Sequence, residues 1–127
     1  MSHSLRSYLH EHILVITLNA DFCRRDELIQ IGFEALRRLN AAVGELTLIF
    51  DLVAAPLDYT ALFHLVNFGA RGDTPIFHHP NVGRLIFVTQ SELIELGAKT
   101  LDSPIYGNLS IPVFPTLDQA MHYARSL

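Results

Sequence analysis

Leu46-Thr47-Leu48-Ile49-Phe50-Asp51 is the stretch on which the reading of the chain turns. It is apolar almost throughout, with none of the strict alternation of a strand that shows one side to water. Such a run belongs in a parallel sheet covered on both faces. The strand stops on a carboxylate, Asp51, and Pro56 marks the turn beyond it. Upstream, Ile13 to Leu18 (Ile-Leu-Val-Ile-Thr-Leu) has the same character, and downstream so does Arg84 to Thr89, built around Leu-Ile-Phe-Val. These are the expected central strands.

Between and around them the periodicity changes to that of helices. Asp26 is the expected N-cap of a first helix in which Leu28, Ile31, Phe33, Leu36 and Leu39 form an apolar stripe, with Gly44 ending the segment. Asp58 to Ala70 reads as a second helix, with Asp58 as its cap and Gly72 just past its end. Ser91 caps a third, with Glu92 and Glu95 near its positive end, and Thr116 caps a closing helix that runs to Leu127. Leu5 to Leu9 makes an opening strand joined to the next by a turn at His10-Glu11-His12. His78-His79-Pro80-Asn81 is a surface loop, and Ile111 to Phe114 is a short edge strand. The order is β-β-α-β-α-β-α-β-α. It predicts an α/β fold with a five-stranded mixed sheet, four main helices and right-handed crossovers, in one domain over 1–127.

With 127 residues, half of them apolar, the chain can build a core without staples. The formal charge of −4 comes from scattered acidic residues, and no basic run tracks a phosphate backbone, so nucleic acid is not an expected partner. No stretch of about 18 apolar residues appears, and Met1 to His10 lacks a signal-peptide core; no integral membrane segment and a cytoplasmic location are expected. The lone Cys23 cannot form an internal disulfide, which fits a reducing compartment.

The element order resembles that of STAS domains, the anti-sigma-factor antagonist fold, over nearly the whole length. Leu18-Asn19-Ala20-Asp21-Phe22 is similar to that family's ending of the second strand, and Leu48-Ile49-Phe50-Asp51-Leu52 to its hydrophobic strand ending in Asp. Asp58-Tyr59-Thr60-Ala61-Leu62 occupies the place of the Asp-Ser-Ser-Gly-Leu turn, and Thr60 matches the serine phosphorylated in regulatory members. His79-Pro80-Asn81-Val82-Gly83-Arg84 and Phe114-Pro115-Thr116-Leu117-Asp118-Gln119-Ala120 resemble the SpoIIAA-like bacterial proteins, whose fold is shared with lipid-binding CRAL-TRIO-type domains. Cys23 stands where the sensor-type family has an Asp, and Ala61 replaces its glycine.

The start of the second helix is the first candidate site. Free N–H groups there favour an anion, Asp58, Tyr59 and Thr60 would surround it, and Asp51 ends the strand before it. The bland reading is that Asp58 and Thr60 only cap the helix. The same helix is apolar around its circumference. Leu62, Leu65, Val66 and Gly69 can face the sheet, which leaves Leu57, Tyr59, Phe63, His64 and Phe68 for a second subunit, an apolar ligand or intrachain cover. A homodimer is expected, with Phe63 and Phe68 as anchors. His10, His12, His78 and His79 lack the spacing of a metal site, and Cys23, although beside Arg24 and Arg25, has no positioned base.

Other α/β classes fail on missing residues. A phosphate-receiver domain needs an adjacent acidic pair and a strand-end lysine, but Asp21 stands alone and Lys99 falls in a helix. Neither a Gly-Lys-Ser/Thr loop, nor Gly-x-Gly-x-x-Gly, nor a Gly-x-Ser-x-Gly elbow is present. The expectation is a non-catalytic regulatory or protein-interaction module without a cofactor, gated by anion binding or phosphorylation at the second helix. The alternative is a carrier or sensor of an apolar, lipid-like small molecule.

Overall fold

The computed structural model describes residues 3–19, 24–55, 76–104 and 108–126. Five strands form one sheet in the order in which they occur: β1 (His3–Tyr8), β2 (Ile13–Leu18), β3 (Leu46–Asp51), β4 (Val82–Val88) and β5 (Val113–Phe114). β1 runs antiparallel to β2, and all later neighbours are parallel. The expected mixed sheet is therefore present, with the three apolar runs at its centre. Three α-helices lie among the described residues: α1 (Arg24–Ala41), α2 (Glu92–Thr100) and α3 (Leu117–Arg125). The count of four main helices is not supported. The segment read as the second helix, Asp58 to Ala70, lies outside the described residues.

Because strand order follows chain order, crossovers of one hand all step the same way across the sheet and set their helices on one face. Ile31, Ala35 and Leu39 of α1 and Ile94 and Ala98 of α2 accordingly share one core with Leu14, Ile16, Leu18, Leu48, Phe50 and Phe87. Phe50, Phe77 and Phe87 meet edge to face at its centre, with ring centroids 5.5 to 6.0 Å apart. α3 follows the last strand, makes no crossover, and folds onto the opposite face. There Ala120 and Met121 cover Ile13, Val15, Ile49, Ile86 and Val88. Arg125 at its end forms a bidentate pair with Glu11 in the β1–β2 turn, and this hydrogen bond raises the guanidinium pKa above its ordinary value.

Local signals hold at the later helices. Ser91 Oγ accepts the Ile94 N–H at 3.4 Å and Thr116 Oγ1 the Gln119 N–H at 3.2 Å, both as N-caps. Gly44, beyond α1, has φ +92°. Other expectations are corrected. α1 begins at Arg24, so Asp26 lies in its first turn rather than at its cap. Phe33 is 70 % exposed instead of joining the apolar stripe. At 100° per residue it sits some 200° from Ile31, while Ala35 and Leu39 stay within about 80°.

β5 is shorter than the strand expected over Ile111 to Phe114, and the ladder gives the reason. Phe87 N–H donates to Pro112 O at 3.1 Å and Thr89 N–H to Phe114 O at 2.9 Å. The next parallel bond would run from residue 112 to the Leu85 carbonyl, and a proline has no N–H to give. Pairing therefore ends, and β4 from Val82 to Ile86 carries no β5 partner.

Candidate functional site

The register sorts the α3 face into rows across the strands. One row is Arg6, Val15, Ile49 and Ile86; the next, at the carboxyl end, is Ser4, Thr17, Asp51, Val88 and Phe114. The face thus changes from apolar to polar within one step along β2 and β3. α3 packs on β3, β4 and β5, over the apolar side of this boundary. Ser4, Thr17 and Asp51 remain half-exposed and Arg6, two residues along β1 from Ser4, is exposed. These four residues make a polar corner at the carboxyl end of the sheet, the end at which ligands of open α/β sheets bind.

Asp51 sits in that corner with few structural duties. Its Oδ1 accepts the Val53 N–H at 3.3 Å, a long Asx-type bond. The backbone just beyond is held independently, by Leu52 N–H donating to Val88 O at 2.8 Å. Next to it, Thr89 is buried, and its Oγ1 accepts the Ser91 N–H at 3.0 Å, fixing the entry to α2. Asp58, Tyr59 and Thr60, together with Leu57, Phe63, Phe68 and Cys23, lie outside the described residues. Of the residues singled out for the anion site, Asp51 is the one described. Its partners in the corner, Ser4, Thr17 and Arg6, were not anticipated; the polar Thr17 within an apolar strand was the available signal.

The histidines divide by role. His10 lies in a 3₁₀ turn over Leu9–Glu11, and His12 has φ 55° at the turn into β2. His79 Nδ1 accepts the Asn81 N–H at 3.0 Å, so its Nε2 carries the proton and donates to Asn40 Oδ1 at 2.8 Å. Asn81 Nδ2 in turn donates to Leu39 O at 2.7 Å. The His79-Pro80-Asn81 loop thereby latches the end of α1 to the start of β4. Among the described residues no three His, Cys, Asp or Glu side chains gather to hold a metal ion.

A second concave feature opens where the β4–β5 ladder ends. It is a half-open cleft of about 340 Å³. Phe77, Val82, Leu85 and Ile86 form apolar walls, and Arg84, Asn108, Ser110 and Tyr123 bring polar groups to it. Gly83 beside it is the extra residue of a bulge, since Leu46 pairs with Val82 and Thr47 with Arg84, and the Glu45 side chain occupies the space that a side chain at Gly83 would need.

This sheet order, with one antiparallel edge and helices on both faces, also occurs in a solved structure. An uncharacterised protein of the DUF3478 family from Shewanella loihica PV-4, with a SpoIIAA-like fold, superposes with a TM-score of 0.64 at 13 % identity. The match covers 96 % of this chain and 91 % of that one. The chain has a SpoIIAA-like fold. No family model and no curated protein matches its sequence. The SpoIIAA-like likeness bears on the frame alone, and the chemistry has to come from the two surfaces just described. No described helix is long and apolar enough to cross a membrane.

Proposed function

We propose that the protein is a non-catalytic, cytoplasmic interaction module that docks a regulatory partner at the carboxyl end of its sheet. The observation that carries this reading is the polar corner of Ser4, Arg6, Thr17 and Asp51, left outside the cover of α3 beside the apolar patch of Val15, Ile49, Ile86 and Val88. Buried sheet positions are apolar unless a polar group is needed, and Asp51 contributes little to holding its own strand. In this reading Asp58, Tyr59 and Thr60, a few residues on in the chain, extend the surface. An anion, or a phosphate on Thr60 with its roughly two negative charges, would gate docking. The same proposal includes a homodimer through Leu57, Phe63 and Phe68, supported by the apolar pattern of that segment.

Affinity capture from the native host, followed by reconstitution with the purified partner, tests the reading. Wild type should retain a protein that Asp51→Lys loses and Thr60→Glu changes. An identical set bound to all three would overturn it.

A second reading, a carrier or sensor of an apolar small molecule, is favoured by the cleft beside β4. Its volume falls within the range of small-ligand sites and part of its wall is apolar.

A further inference from the structure

We propose that the cleft beside the unpaired part of β4 binds a small amphiphilic anion, an aliphatic or aromatic monocarboxylate, with its carboxylate on Arg84. The inference rests on the second reading above and specifies its ligand. Depth and rim differ in chemistry. Phe77, Leu85 and Ile86 are already buried, so the apolar surface open to a ligand comes from the half-buried Val82, Leu109 and Pro112. Arg84 is exposed at the mouth, and among the described residues its guanidinium has no carboxylate partner. Among the described residues that line the cleft it is the one cation and none is a carboxylate; the Glu45 side chain lies against Gly83, next to Arg84 in the chain.

A guanidinium with no carboxylate partner among the described residues, at the mouth of a partly apolar cleft, selects one negative charge at one end of an apolar molecule. Guanidinium and carboxylate match as two parallel hydrogen bonds. Asn108, Ser110 and the Tyr123 hydroxyl are neutral and can accept or donate to the same head group. An amphiphilic cation would meet Arg84 as a like charge, and a neutral alcohol would leave the fork of donors unused. The volume suits a ligand of about ten non-hydrogen atoms, smaller than a membrane lipid. The site owes its existence to Pro112, whose missing N–H halts β5 and leaves the sheet edge open between the two core layers.

The test is a ¹H–¹⁵N NMR titration of the full chain with three probes of equal chain length: sodium octanoate, octanol and octylammonium chloride. Octanoate should shift the amides of Arg84, Leu85, Leu109 and Ser110 saturably. Octanol should bind at least about tenfold more weakly, and octylammonium should leave these amides in place. Arg84→Gln, at an exposed position, should weaken octanoate about ten- to a hundredfold, to the level of octanol. Equal binding of octanoate and octanol, unaffected by Arg84→Gln, would overturn the carboxylate inference while leaving the apolar-ligand reading standing. Absence of any saturable shift at the cleft with all three probes would overturn both.

Discussion

Replacing Asp51 with Ala separates a residue kept for binding from one kept for folding. In the folded chain its carboxylate makes one described hydrogen bond, 3.3 Å to the Val53 N–H, at the long end of the useful range. Val53 is exposed, so its amide can turn to water when the carboxylate is gone. The loss is therefore worth no more than about 0.5 kcal/mol. Leu48, on the same strand and fully buried, supplies the contrast, because Leu→Ala in such a site costs about 2–5 kcal/mol. For 127 residues the unfolding entropy is about 0.27 kcal/mol/K, from about 2.1 cal/mol/K per residue. Asp51→Ala should then lower Tm by about 2 °C or less, and Leu48→Ala by about 7–18 °C. Differential scanning calorimetry of both variants reads this directly. A fall of 7 °C or more for Asp51→Ala would refute the reasoning, since it would make the carboxylate a structural support and remove the ground for calling the corner a docking surface.

Three further outcomes are expected. His79→Ala breaks the bonds to Asn40 and Asn81 that latch α1 to β4, and should cost about 1–3 kcal/mol in urea unfolding, with Asn81 losing protection from hydrogen exchange. Pro112→Ala supplies the missing N–H to Leu85, so the β4–β5 ladder should lengthen, slow exchange at residue 112 and weaken octanoate binding, with little net change in stability. Phe63→Asp should convert a dimer to a monomer in sedimentation equilibrium; a wild-type monomer at micromolar concentration would remove the proposed dimer.

Much of the frame could be read from residue order. Ile13 to Leu18, Leu46 to Asp51 and the Leu85 to Val88 run are unbroken by Gly or Pro, and short-range pattern suffices to mark such strands as central. Ser91 and Thr116 were equally legible, because a cap bonds three residues ahead. Phe33 lies off the buried stripe because its angle around the helix axis, rather than its hydrophobicity, sets its exposure. The truncation of β5 was hidden for a different reason. Pro112 ends the ladder only because its register puts the absent N–H against Leu85, and register between distant strands is not a local property. The cleft and the role of Arg84 depend on that register and on the bulge at Gly83, so neither could be seen in advance. The polar corner was half visible. Asp51 stood out at the end of its strand, but its neighbours Ser4 and Thr17 follow from strand pairing.

Native mass spectrometry of the protein purified from its own host, as wild type and as Asp51→Lys, tests the central proposal most directly. Docking at the carboxyl end of the sheet predicts a wild-type species carrying the mass of a partner protein, absent from Asp51→Lys while that variant remains folded. The same partner mass on both proteins, or on neither, would contradict it.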